Sequence, residues 1–166
     1  MKIEVQDITL DDLELYEALR CDPEMMTALG GPQARAYMPD KLRRDVESVE
    51  NGECWISKVI VDGDPDQVAG SVCIWTNTWR DEPISEAGWM TLTSFQGRGI
   101  ATEAVAALLD RARTECRWGV VHAFPATNNG PSNAICRKLG FSWMEECDLD
   151  WGEHKLTCNH WRLRLY

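Results

Sequence analysis

The run Gln96-Gly97-Arg98-Gly99-Ile100-Ala101 puts two glycines and an arginine directly ahead of a segment patterned as a helix. Glycines at such a turn let the backbone approach a ligand closely, and first-turn amides have no intrahelical partners. Together with the helix dipole those donors suit a pyrophosphate, and Arg98 can add a direct charge. The same residues also fit a tight strand-to-helix turn that binds nothing. The run is not a P-loop, because no Gly-Lys-Ser/Thr follows, and the dinucleotide pattern G-x-G-x-x-G is absent. Glu86, ten residues before Gln96, is a candidate general base or else an exposed strand carboxylate. About thirty residues beyond the turn, Asn128-Asn129-Gly130-Pro131-Ser132 opens another helix-like segment. There Asn129 and Ser132 suit a ligand or a helix cap, and Pro131 suits either. His122, among Val120, Val121 and Phe124, reads as a packed core histidine.

The elements that must position these groups follow from periodicity. Ile3 and Val5 alternate as a strand, and Leu13, Leu15, Tyr16 and Leu19 follow Asp11-Asp12 at near-helical spacing. Gly30, Gly31, Pro32 and Pro39 mark a loop, and residues 40–50 form a charge-rich helix ended by Asn51-Gly52. Three strands are expected at 55–61, 68–75 and 84–93, the first two joined by the turn Asp62-Gly63-Asp64-Pro65. Apolar residues at 101, 104, 105, 108, 109 and 112 give a helix over 100–113, followed by a short strand at 118–124. Strand, turn, helix and strand of this length form a parallel right-handed crossover. A helix over 127–139 stopped by Gly140, then strands at 141–149 and 157–165, close the chain. The fold class is mixed α/β, with an antiparallel first half and one parallel crossover.

The chain has 166 residues, which suits one domain, 1–166. It carries 17 Lys+Arg against 27 Asp+Glu, a net charge of −10, which argues against nucleic acid or an anionic membrane as partner. No apolar run approaches the roughly 18–20 residues of a membrane span, and the first residues lack a signal-peptide core. The seven cysteines form no C-x-x-C pair and only three His accompany them, so the expectation is reduced thiols in a cytoplasmic protein with no metal site. Of the eight tryptophans, Trp75, Trp79 and Trp89 fall on or beside strands flanking the candidate site, where they serve as core or as an aromatic wall for an amine.

Three elements now stand in order: Gln96-x-x-Gly99-x-Ala101, then Asn128 to Ser132, then Lys138-Leu139-Gly140-Phe141. This arrangement resembles the GNAT superfamily of N-acetyltransferases, in particular the branch with ribosomal-protein N-acetyltransferases and many small-molecule amine acetylases. The resemblance implies a mostly antiparallel sheet of about six to seven strands with flanking helices and one parallel β-α-β crossover. It implies acetyl-CoA as cofactor, with Gln96, Gly97, Arg98, Gly99, Ile100 and Ala101 on its pyrophosphate. Trp89, Met90, Thr91 and Leu92 would lie along its pantetheine arm, with Asn129 bonded to the pantetheine or the departing thiolate and Ser132 near the cofactor. Glu86 matches the family's Glu-Ile-Gly-Tyr strand, here Glu86-Ala87-Gly88-Trp89. Where many relatives have a general-acid Tyr on the last helix, this chain has Cys136, either an acid or a packed thiol. The implied reaction is direct attack of a primary amine on the thioester in a ternary complex, by a monomer or homodimer. Two rival readings stay open: an acyl-CoA-binding sensor or scaffold without catalysis, and a nucleotide-binding regulator using the same turn.

Overall fold

A computed structural model describes residues 1–166. The strands are β1 (Ile3–Asp7), β2 (Cys54–Val61), β3 (Val68–Trp79), β4 (Glu82–Thr91), β5 (Val120–Ala123), β6 (Ser142–Trp151) and β7 (His154–Arg164). The helices are α1 (Leu13–Arg20), α2 (Met38–Glu50), α3 (Ile100–Thr114) and α4 (Gly130–Lys138). One seven-stranded sheet runs in the order β1-β2-β3-β4-β5-β7-β6. Every neighbouring pair is antiparallel except β4–β5, which the α3 crossover makes parallel. No helix is long and apolar enough to cross a membrane.

Pleating sends alternate residues to opposite faces, and each face has its own helix layer. On one face Trp55, Val59, Val72, Ile74, Ala87 and Val121 pack against the α3 stripe of Ala104, Val105, Leu108 and Leu109, and against Ile135 and Cys136 of α4. On the other face Tyr16 of α1 meets Met38, Leu42 and Val46 of α2 in a smaller cluster reaching Ile56. Glu86 and His122, one residue out of phase with Ala87 and Val121, belong to this second face.

Several boundaries differ from the sequence expectation. The second and third strands extend to a hairpin whose two turn residues, Arg80 and Asp81, both have positive φ (50° and 64°). A two-residue turn matched to strand twist needs those angles, and without Gly or Asn there the polar run reads as loop. The strand expected over 118–124 shortens to β5, because Trp118 and Gly119 turn at positive φ first. The helix expected from 127 begins at Gly130 with Asn129 as its cap, and the third strand ends at Thr91, giving way to a 3-10 turn at Thr93–Phe95.

Candidate active site

The site is a gap in the sheet. β4 and β5 pair only at Ser85↔Val121 and Glu86↔His122. Beyond that point β4 continues from Ala87 to Thr91 with β3 on one side and no strand on the other. This edge leaves backbone polar groups able to pair with an extended ligand, as an added strand would. Trp89, Met90 and Thr91 lie along it. Leu92 lies just past its end, its amide held by the Ala69 carbonyl at 2.8 Å.

The Gln96–Ala101 turn stands at the open end of β4. Gly97 and Gly99 have φ of 74° and 79°, and a Cβ on either would meet nothing within 4 Å, so their outer side is open. The amides of Gly97, Arg98, Gly99, Ile100, Ala101 and Thr102 donate to no acceptor in the chain. Six such donors at the N-terminus of a fifteen-residue helix form a site for an anion. Gln96 stands apart from them: its amide donates to Thr93 O, and its Nε2 reaches back 2.9 Å to Thr91 O. It ties the turn to β4 and offers no amide of its own. Arg98 extends over the Phe95 ring, 5.6 Å from its centroid.

Across the gap stands α4. Asn129 caps it, its Oδ1 accepting from the Ser132 amide at 3.1 Å. Ser132 Oγ accepts from Trp89 Nε1 at 3.2 Å, which joins the two sides of the gap. Behind them Asn133, which sequence reasoning missed, is buried and fully bonded. Its Nδ2 donates to Ala126 O and Asn129 O, and its Oδ1 accepts from Asn159 Nδ2 and Trp161 Nε1. Its only trace in the sequence is a polar residue in the apolar phase of α4.

Glu86 sits at the apex where the strands part, between Trp75 of β3 and His122 of β5. Asn77 Nδ2 donates to its Oε2 at 2.7 Å, and no cation pairs with it. Burial holds its carboxyl above the ordinary range, and the Asn77 bond offsets this only in part. His122 Nδ1 lies 2.8 Å from His160 Nε2, so one ring donates to the other. His160 in turn stacks on Phe124 at 4.7 Å and meets the edge of Trp79. Burial, aided by the charges of His160 and Arg162, pushes His122 down to about 4. The packed histidine expected at 122 is thus half-buried beside the candidate base and borders a cavity of about 280 Å³ with Thr76, Ile84 and Ser85. Nothing in the sequence linked it to His160, thirty-eight residues away.

Cys136 lies on the opposite face within the core, with no exposed surface, and burial pushes its thiol up to about 12. The structure does not bring it together with Glu86. A second cavity of about 560 Å³ lies between Thr27–Gly30, the Ala126–Asn128 loop and the β6–β7 tip at His154–Thr157. Chemically, the arrangement can hold an extended anionic ligand by its backbone, with a carboxylate at the apex on the α1–α2 face.

A family model described as an acetyltransferase (GNAT) domain matches residues 2–142. Among solved structures, a GNAT-family acetyltransferase from Bacillus anthracis superposes with a TM-score of 0.79 at 16% identity, covering 99% of this chain and 96% of that one. The ribosomal-protein-S5-alanine acetyltransferase of Vibrio fischeri gives 0.80 at 17% identity, covering 99% and 93%. An acetyltransferase from Salmonella typhimurium, solved with its cofactor acetyl-CoA, gives 0.75 at 17% identity, covering 99% and 94%. No curated protein matches the sequence.

Proposed function

The chain belongs to the acetyltransferase (GNAT) domain family, and from that premise we propose that it moves the acetyl group of acetyl-CoA to a primary amine that reaches Glu86 from the α1–α2 face. The carrying observation is the parting of β4 from β5 directly after Glu86, with an unshared β4 edge leading to six free amides. Those features fit the cofactor: Gly97 to Thr102 match its pyrophosphate in charge, and Trp89 to Thr91 offer a backbone edge to its amide-containing arm. The cofactor supplies an acetyl group activated as a thioester. Glu86, held in place by Asn77, accepts the ammonium proton directly or through a water and so frees the nucleophile. Its raised pKa brings it closer to the amine it must deprotonate. A β4 backbone amide at the gap would hydrogen-bond the acetyl carbonyl. Ser132, carrying the Trp89 bond, and Asn129 would face the thiol end of the cofactor. Cys136, enclosed by core side chains, serves packing.

We place this work in the cytoplasm, on the cysteine usage of the sequence, with a monomer or homodimer as the acting unit. Calorimetric titration with acetyl-CoA, with ATP and NAD as controls, tests the cofactor. A micromolar Kd, about −8 kcal/mol, is expected for acetyl-CoA alone. Equal binding of all three ligands, or none, overturns the proposal. Thiol release with an amine then separates an enzyme from a non-catalytic acyl-CoA-binding module.

A further inference from the structure

We propose that Arg20 forms an anion site beside Glu86, so that the preferred acceptor is a primary amine that also carries a carboxylate. The inference rests on the reading of Glu86 as the amine's base and adds the second half of the acceptor.

Arg20 ends α1, its guanidinium over the Tyr16 ring at 4.4 Å. One guanidinium nitrogen, Nη1, is buried and has no hydrogen-bond partner. In a chain with ten more acids than bases, this cation makes no ion pair. The neighbouring acids are engaged elsewhere. Glu17 pairs with Arg35 at 2.7 Å. Asp22 accepts the amides of Glu24 and Met25. Asp45 accepts from Tyr16 Oη at 2.6 Å and from Lys41 at 3.1 Å. A buried polar nitrogen without an acceptor is costly, and an arginine fork is shaped for a carboxylate.

Its position ties it to the gap. Arg20 lies on the Tyr16 ring, Tyr16 belongs to the cluster against which Ile56 packs, and Ile56 is the register partner of Cys73. Cys73 is the register partner of Gly88, donates to its carbonyl at 3.5 Å, and would lie 3.3 Å from a Cβ placed there. Gly88 is two residues beyond Glu86 on the same face of β4, about 7 Å along the strand. The loop leaving α1 crosses the end of β4, where Thr93 Oγ1 meets Met25 Sδ at 3.7 Å. An unpaired carboxylate and an unpaired guanidinium therefore share the acceptor face of the sheet, with Cys73 and Trp75 of β3 on that face packed against Gly88, complementary to an ammonium and a carboxylate on one molecule.

The test compares 6-aminohexanoate with hexylamine, which differ only in the carboxylate. In wild type kcat/KM favours 6-aminohexanoate. Arg20→Gln lowers that value about tenfold or more and leaves hexylamine within about twofold. Arg20→Lys, which keeps the charge, recovers part of the loss and controls for damage to α1. Peptides with and without an acidic second residue, run in parallel, separate a free amino acid from a chain N-terminus as the source. Preference for the carboxylate in either series supports the site. No preference in either series overturns it, as does equal loss on both amines or loss of acetyl-CoA affinity in Arg20→Gln. Calorimetric binding of 6-aminohexanoate to wild type and to Arg20→Gln, without cofactor, judges the site even if acetyl-CoA fails to bind; equal heats from the two proteins count against it.

Discussion

Glu86 and His122 are the last paired residues of the only parallel strand pair, side by side on one face where β4 and β5 separate. The carboxylate thus stands between the paired part of the sheet and the open gap. Glu86→Gln removes the proposed base and keeps the shape and the Asn77 contact. Its kcat falls about 100-fold, with the Kd for acetyl-CoA unchanged by calorimetry. A fall in affinity with kcat intact would place Glu86 in cofactor binding instead.

The raised carboxyl also sets two pH dependences. Activity needs the ionised form, so kcat/KM drops as pH falls through a value above the usual carboxylate range. For stability the sign is reversed. The folded state binds this proton more tightly than the unfolded chain, so stability is lost as pH rises from the unfolded Glu value through the raised folded one. At pH 7 Glu86→Gln therefore melts no lower than wild type by scanning calorimetry, while its kcat is about 100-fold lower.

His122 works against this trend. Its folded pKa, pushed down to about 4, lies below the ordinary 6.5, so between those values the unfolded chain binds more protons. Its contribution is complete above pH 6.5 and is lost as pH falls toward 4. His122→Asn flattens the fall of Tm across that window. An unchanged slope in the variant would mean that burial and the neighbouring His160 do not hold the ring neutral.

The turn makes a separate prediction about affinity. Gly99 has φ of 79° and open space outward, so Gly99→Ala fits without collision but with a strained backbone, costing about 1–2 kcal/mol. The added methyl also projects from the free amides. Acetyl-CoA binding weakens about tenfold or more by titration, while kcat at saturating cofactor changes little. Undiminished affinity would move the pyrophosphate away from these amides.

What the sequence made legible was local. The α3 stripe, the alternation in β7 and the glycine turn all rest on short-range periodicity or on backbone demands of single residues, and each appears at the expected place. The groups that escaped notice depend on contacts between distant elements. Arg20 reads as an ordinary helix-end cation until Glu17, Asp22 and Asp45 are seen bonded elsewhere. His160 and Asn133 acquire partners only when β7 lies beside β5 and α4. Gln96 shows the converse: it stands in the expected motif, yet its amide and side chain both bond within the turn and strand.

Cys136 separates packing from proton donation. A thiol with no exposed surface and a pKa of about 12 neither reaches the gap nor yields its proton readily. Cys136→Ala leaves turnover within about twofold of wild type and costs about 1 kcal/mol of stability in urea unfolding, for the sulfur lost from a packed site. Turnover slowed by about two orders of magnitude, with normal stability, would restore the thiol as the acid.

Asn133 carries the largest expected stability effect. Its side chain satisfies two carbonyls of the β5–α4 loop and two donors of β7. Asn133→Ala leaves the buried Trp161 Nε1 and the part-buried Asn159 Nδ2 without their acceptor, each an uncompensated polar group. The cost is about 3 kcal/mol, read as a lower urea midpoint at unchanged slope. The loop that it fixes also positions Asn129 and Ser132 at the gap, so the variant loses acetyl-CoA affinity as well as stability. Asn133→Asp, which keeps the acceptor for Trp161 and removes the donor to the loop, divides the two effects: stability recovers in part, and the affinity defect remains.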